Sequence, residues 1–196
     1  MVSKVLILSR SECGEVSELK IIFLDIDGVL NDHHHYGNSY CRLKHECVME
    51  LARILEAVPE AKIIVTSAWR YLLHQEVFRS TGLEYMFCMF GMPYATAYSS
   101  VIGFTATDED TCIYLGLSEP GAELDYEWLK ENGELVRREQ VYSVLKDLTQ
   151  LDEKPSPITF VVLDDLDLQL DELIQTDGNV GLTRELADLA IQKLRN

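Results

Sequence analysis

The sequence predicts an α/β protein of Rossmann-like, doubly wound type, with a mainly parallel sheet covered by helices on both faces. Three observations carry that prediction. Strand-like apolar runs alternate with segments of helical period along the chain. The clearest of these runs is apolar nearly throughout, as strands buried on both faces are. Three of them end in polar, chemistry-bearing residues, which a parallel sheet gathers on one edge.

The first strand lies in KIIFLDIDGVLN, Lys20 to Asn31, and ends in Asp25 and Asp27. Side chains of an extended chain alternate, so these carboxylates share one side, and Gly28 lets the backbone turn beyond them. A polar loop from Asp32 to Arg42 leads to a helical pattern with Leu43, Val48, Leu51, Leu55 and Val58 near one face, stopped by Pro59. Lys62 to Thr66 reads as a buried strand, followed by a helix around Tyr71 to Ser80 that Gly82 can terminate. Tyr98 to Thr105 is the predicted third strand. Val141, Val144, Leu145 and Leu148 recur at helical spacing until Pro155 and Pro157 break the run. Thr159 to Leu163 is β-prone and ends at Asp164 and Asp165. A short apolar step at Leu173 and Ile174 precedes a final helix with an N-cap at Thr183 and Leu186, Leu189, Ala190 and Leu194 facing inward.

Composition narrows the function classes. A chain of 196 residues suits one domain, taken as 1–196, with enough apolar content (47%) for a full core. The longest candidate targeting run, Val5 to Leu8, is four residues, too short for a signal peptide or a membrane span. Cytoplasmic residence without a membrane partner is the expectation. Five cysteines, Cys13, Cys41, Cys47, Cys88 and Cys112, are odd in number and contain no C-x-x-C pair, which fits reduced thiols. The net charge of −16 opposes a long nucleic-acid duplex as partner, because phosphate contacts need Lys and Arg. Between Thr107 and Val136 nine acidic residues face the single Lys130, a net charge of −8. The segment 106–136 reads as a solvated acidic insertion, or as a mini-cap whose charge discourages polyanions.

The polar strand ends are Asp25 and Asp27, then Thr66 and Ser67, then Asp164 and Asp165. Carboxylates converging from two strands repel unless a cation lies between them, and hard oxygen ligands suit Mg²⁺. The hydroxyls of Thr66 and Ser67 are neutral donors that bind phosphoryl oxygens without competing for the metal. A phosphate is the natural guest.

The motifs FLDIDGVLN, IVTS and VVLDD resemble, in order and spacing, the first, second and fourth motifs of the haloacid dehalogenase-like (HAD) superfamily of phosphohydrolases. DIDGVLN, TSAWR, LDDLD and the late GLT before a helix are similar to small, nearly capless HAD domains associated with bacterial and phage RNA repair. The likeness covers Lys20 to Asn196 and implies the HAD fold with no large cap domain. It also implies that Asp25 attacks phosphorus to form an aspartyl-phosphate, while Asp27 protonates the leaving oxygen and later deprotonates water. Asp25, the backbone carbonyl of Asp27, and Asp164 and Asp165, directly or through water, would hold Mg²⁺. The superfamily's third motif is a basic residue, usually lysine, near the start of the helix before the fourth-motif strand. Arg137 and Arg138 stand at the matching place, with Arg137 preferred because it precedes the amphipathic helix. An arginine fork is not a simple exchange for lysine. Lys146 lies two helical turns too far along.

Other residues are ambiguous from sequence. Trp69 and Arg70 offer a stacking face and a phosphate clamp, or the indole packs against the sheet; Gly28 is a further candidate substrate contact. His33, His34 and His35 form a flap, or touch substrate from the loop after the catalytic strand. Asp167 tunes the metal site or turns the chain, and Asp177 belongs to a turn. Three functions follow: a Mg²⁺-dependent phosphatase acting on a phosphorylated small molecule or nucleotide, a phosphatase of nucleic-acid ends, and a non-catalytic binding protein. The intact Asp25 and Asp27 pair disfavours the last. The charge of −16 leans toward the first.

Overall fold

The structure, a computed structural model, describes residues 18–32, 43–69, 80–119, 121–123, 125–150 and 157–196. The histidine triplet, Arg70, Cys13, Cys41, the expected helix over 71–79 and the chain before residue 18 lie outside these residues. Five parallel strands, β1 (Leu19–Leu24), β2 (Lys62–Val65), β3 (Val101–Phe104), β4 (Ile158–Asp164) and β5 (Leu173–Gln175), form one sheet in the order β3-β2-β1-β4-β5. Central β1 is flanked on both sides, and Ile21, Ile22, Phe23 and Leu24 are completely buried. Each such side chain contributes about 1.5–3 kcal/mol when removed from water.

Helices cover both faces, and the alternation of β1 decides which side chain meets which layer. Ile22 and Leu24 join a core with α1 (His45–Ala57), α2 (Ser80–Met89) and α6 (Arg184–Arg195). Ile21 and Phe23 point the other way, into a second core with Val141 and Val144 of α5 (Tyr126–Gln150). Two further helices, α3 (Tyr94–Ala97) and α4 (Asp108–Tyr114), are short. The doubly wound architecture expected from sequence is therefore present, and no large cap accompanies it among the described residues.

Several local expectations hold. The α1 apolar stripe is buried as expected, and the helix ends at Ala57, two residues before Pro59. The Thr183 hydroxyl accepts from the Leu186 amide and caps α6. Asp177 accepts backbone bonds from Val180 and Gly181 at the foreseen turn. Among the described cysteines, Cys47, Cys88 and Cys112 are free thiols.

Three elements differ from expectation. Gly82 lies inside α2 instead of ending it; its cost in a helix, about 1 kcal/mol, is offset by burial of Leu83, Met86 and Phe87. The third strand is shorter, because Tyr98 caps α3 and pairing with β2 begins at Val101. The last helix before β4 starts at Tyr126, well ahead of the apolar stripe at Val141, and is kinked at Asn132, whose amide bonds the Trp128 carbonyl at 2.8 Å. The second half of the acidic segment is thus the front of α5. Some of its charge serves as capping: Thr107 caps α4 above Asp108, Glu109 and Asp110, and Asp125 accepts from the amides of Glu127 and Trp128.

Candidate active site

Register between the two central strands brings the first carboxylates together. Leu24 pairs with Leu163, and the Asp25 amide donates to the Leu163 carbonyl at 2.9 Å, so Asp25, just beyond β1, lies beside Asp164, the last residue of β4. The chain runs outward through β2 and β3 on one side of β1 and returns to β4 on the other. The gap between β1 and β4 is therefore the topological switch point, where open α/β sheets place ligands. Asp25 follows Ile21 and Phe23 in alternation, and Asp164 follows Val162, so both carboxylates point to the α5 face.

Arg137 meets them from that helix. Its Nη1 lies 2.8 Å from Asp25 Oδ2 and 2.8 Å from Asp164 Oδ2, with the three side chains 16%, 6% and 0% exposed. Burial works against the Arg137 charge, but Asp25 and Asp164 more than offset it and hold the guanidinium above its ordinary value. Burial pushes the Asp164 carboxyl up to about 7, against the pull of Arg137 and with further upward pressure from Asp25 and Asp165. Asp164 Oδ1 accepts from the Leu166 amide at 3.0 Å, and Asp25 Oδ1 from the Ile26 amide at 2.7 Å.

Carboxylate oxygens of Asp25, Asp164 and Asp165 lie within 4.8 Å of one another. Among the described residues, three hard oxygen donors stand beside the Arg137 guanidinium in a largely buried place, and this donor set fits a small divalent cation. Asp165 is held against Gly28, which takes a left-handed φ of +77°. Thr66 and Ser67, fully buried, follow β2 on the adjoining side of β1, where the Thr66 amide donates to the Leu24 carbonyl.

The Asp27 side chain stands outside the carboxylate cluster and is held by other partners. Asn31 Nδ2 donates to Asp27 Oδ1 at 2.7 Å, and Trp69 Nε1 reaches Oδ1 and Oδ2 at 3.1 Å each. The Trp69 ring is half-buried against the larger core, so packing and polar contact are combined in one side chain. Asn31 was not singled out by sequence reasoning; its signal was the i, i+4 spacing from Asp27 across a glycine turn.

Arg137 lies within α5, not ahead of it, and one face of that helix reaches the cluster. Its neighbour Arg138 projects elsewhere and meets Gln169 Oε1 at 3.4 Å on the surface. Lys146 donates to the Tyr114 hydroxyl at 3.2 Å, away from the carboxylates. Asp167 accepts from the Gln169 amide in an exposed turn. Among the described residues no helix is long and apolar enough to cross a membrane.

The five-stranded parallel sheet, with an aspartate cluster at the switch point and a second aspartate two residues after the first, defines a HAD-type domain. Residues 21–187 match the family described as the HAD domain in Swiss Army Knife RNA repair proteins, and the chain belongs to that family. HAD domains are generally hydrolases of phosphatase type and typically use a divalent metal. No curated protein and no solved structure matches the chain.

Proposed function

We propose that this protein is a Mg²⁺-dependent phosphatase that hydrolyses phosphomonoesters through an aspartyl-phosphate on Asp25. The observation that carries the reading is the Arg137 bridge between Asp25 and Asp164 at the β1/β4 switch point. It pairs a buried nucleophile with a counter-charge and fixes its aim, while Asp27 stands two residues away and outside the cluster.

In this reading an Asp25 oxygen bonds to phosphorus as the bond to the leaving oxygen breaks, and Asp27 delivers a proton to that oxygen. Asp27 then takes a proton from water, which attacks the same phosphorus and releases phosphate and free Asp25. Arg137 directs its remaining N–H groups to the phosphoryl oxygens, joined by the hydroxyls of Thr66 and Ser67. Asp25, Asp164, Asp165 and the Asp27 carbonyl are the residues that would hold Mg²⁺, which when bound neutralises charge between carboxylate and phosphate dianion. Residues 1–196 act as one domain, in which 106–136 is an acidic insertion whose second half runs into α5.

The family's RNA-repair description supports a terminal nucleic-acid phosphate as substrate, and the described residues include no large cap that would exclude a macromolecular end. The net charge of −16 supports a small phosphoester or nucleotide, and opposes tracking along a duplex. One experiment tests the activity and chooses between these substrates: phosphate release from phosphomonoesters, mononucleotides and 3′- or 5′-phosphorylated oligonucleotides, with Mg²⁺ or EDTA. Release that requires both Mg²⁺ and Asp25 is expected, and Asp25→Asn should fold normally yet lose turnover by orders of magnitude. Release that survives in Asp25→Asn would overturn the mechanism, and none from any substrate would favour a binding role.

A further inference from the structure

Two segments far apart in sequence converge on the Asp27 carboxylate with groups that can only donate. From the turn after β1, Asn31 Nδ2 donates to Asp27 Oδ1 at 2.7 Å. The amide is oriented by its other end: Asn31 Oδ1 accepts from the Gly28 backbone N–H at 2.9 Å, which leaves the NH₂ group facing Asp27. From the loop after β2, Trp69 Nε1 reaches both Asp27 oxygens at 3.1 Å. The indole is anchored in turn by its packing on the larger core and by the Trp69 backbone N–H on Ser67 Oγ at 3.3 Å.

The chemistry of these donors suits the support of an acid/base. An indole N–H and an amide NH₂ accept no proton under working conditions, so neither competes with Asp27 for the proton it carries. The donors are also unequally shared. Among the described residues, Asp27 Oδ1 receives Asn31 as well as the indole, whereas Oδ2 receives its share of the indole bond alone. Oδ2 therefore keeps the more open lone pair. We propose that Trp69 and Asn31 are positioning residues for Asp27, which lock its carboxyl so that Oδ2 is the atom that gives and takes the proton at the leaving oxygen.

This inference rests on the phosphatase reading and goes beyond it by giving two residues outside the carboxylate cluster a definite share of the proton transfer. A role limited to stability would affect every substrate alike. A role in proton delivery depends on the leaving group: an alkyl phosphate needs its leaving oxygen protonated, and a p-nitrophenyl phosphate scarcely does. kcat/KM is the right readout, because in a covalent mechanism it reports steps up to the first irreversible one and leaves out the later attack of water.

The test compares kcat/KM of the full chain with Mg²⁺ on a primary alkyl phosphate and on p-nitrophenyl phosphate, for wild type, Trp69→Phe and Asn31→Ala. Trp69→Phe keeps an aromatic ring and removes only the N–H. General acid catalysis contributes roughly 10²–10⁴-fold, so loss of alignment should cost about 10–100-fold on the alkyl ester and less than about threefold on the nitrophenyl ester. Equal losses on both esters, or no loss on either, would overturn the proposal. Should Trp69→Phe not fold, Asn31→Ala carries the same comparison. The contact itself has a readout that needs no turnover: the Trp69 indole N–H resonance, assigned by its loss in Trp69→Phe, should move in Asp27→Asn. An unmoved resonance also overturns the proposal. Wild type inert toward both esters would instead overturn the phosphatase reading, and this inference with it.

Discussion

Gly28 and Asp165 lock two strand ends together: a Cβ placed on Gly28 would stand 2.7 Å from Asp165 Cγ and 2.8 Å from its Oδ2. The turn that carries Asp25 and Asp27 out of β1 and the loop that begins with Asp165 at the end of β4 are thus fitted to each other at the point where a cation would bind. The close approach and the left-handed φ of +77° each require glycine.

Gly28→Ala is expected to lower stability by about 1–2 kcal/mol from the backbone alone. It should also drive Asp165 out of the cluster. Thermal unfolding with and without Mg²⁺ checks both parts: the variant should have a lower Tm, and a smaller rise in Tm on adding Mg²⁺ than wild type. An undiminished Mg²⁺ shift would mean that Asp165 does not contribute to the site.

Arg137→Ala leaves Asp25 and Asp164 buried without their counter-ion. Breaking such a pair typically costs about 3–5 kcal/mol. Urea unfolding in EDTA should show a loss of this order, and Mg²⁺ should recover part of it by replacing the missing charge. Arg137→Lys should lose less stability, since one Nη1 makes both contacts, yet still lose turnover because the planar fork is gone.

Arg138→Ala serves as the contrast. With its guanidinium on Gln169 at the surface, the change should shift stability by no more than about 0.5 kcal/mol. Phosphate release should stay close to wild type. A large loss would move the phosphate clamp from Arg137 to Arg138.

Asp164, raised by burial from 3.8 to about 7, stays protonated in the folded state over a range where the unfolded chain has lost the proton. Its contribution to stability is therefore fully present below pH 3.8 and is lost as pH rises toward 7. In EDTA, Asp164→Asn should gain stability relative to wild type as pH climbs through that window. Mg²⁺ binding should release a proton near pH 6 and none well above 7, which calorimetry in two buffers of different ionisation enthalpy detects.

Much of this protein is local and therefore legible in sequence. The run IIFLDIDG announces a doubly buried strand that delivers carboxylates to a sheet edge, VVLDD announces a second, and Thr183 announces a helix start, because strand alternation and capping depend on near neighbours. The parallel sheet follows from alternating strands and helices. Where expectation failed, a weak local signal met stronger packing: Gly82 is held inside α2 by its buried neighbours, and α5 begins long before its apolar stripe because Asp125 caps it.

The site's finer order belongs to tertiary structure. The sequence favours Arg137 over Arg138 merely by its place ahead of the apolar stripe, and it is the rotation of α5 against the sheet that sends one to Asp25 and the other to Gln169. That Asp164 stands beside Asp25 depends on the β1/β4 register, a pairing of strands more than a hundred residues apart. The grip of Trp69 on Asp27 joins two loops that meet because β1 and β2 are neighbours. From sequence alone came the kinds of group this protein brings to its sheet edge; which of them touch was decided by long-range packing, since side-chain contacts across a core depend on register and helix rotation that no local pattern encodes.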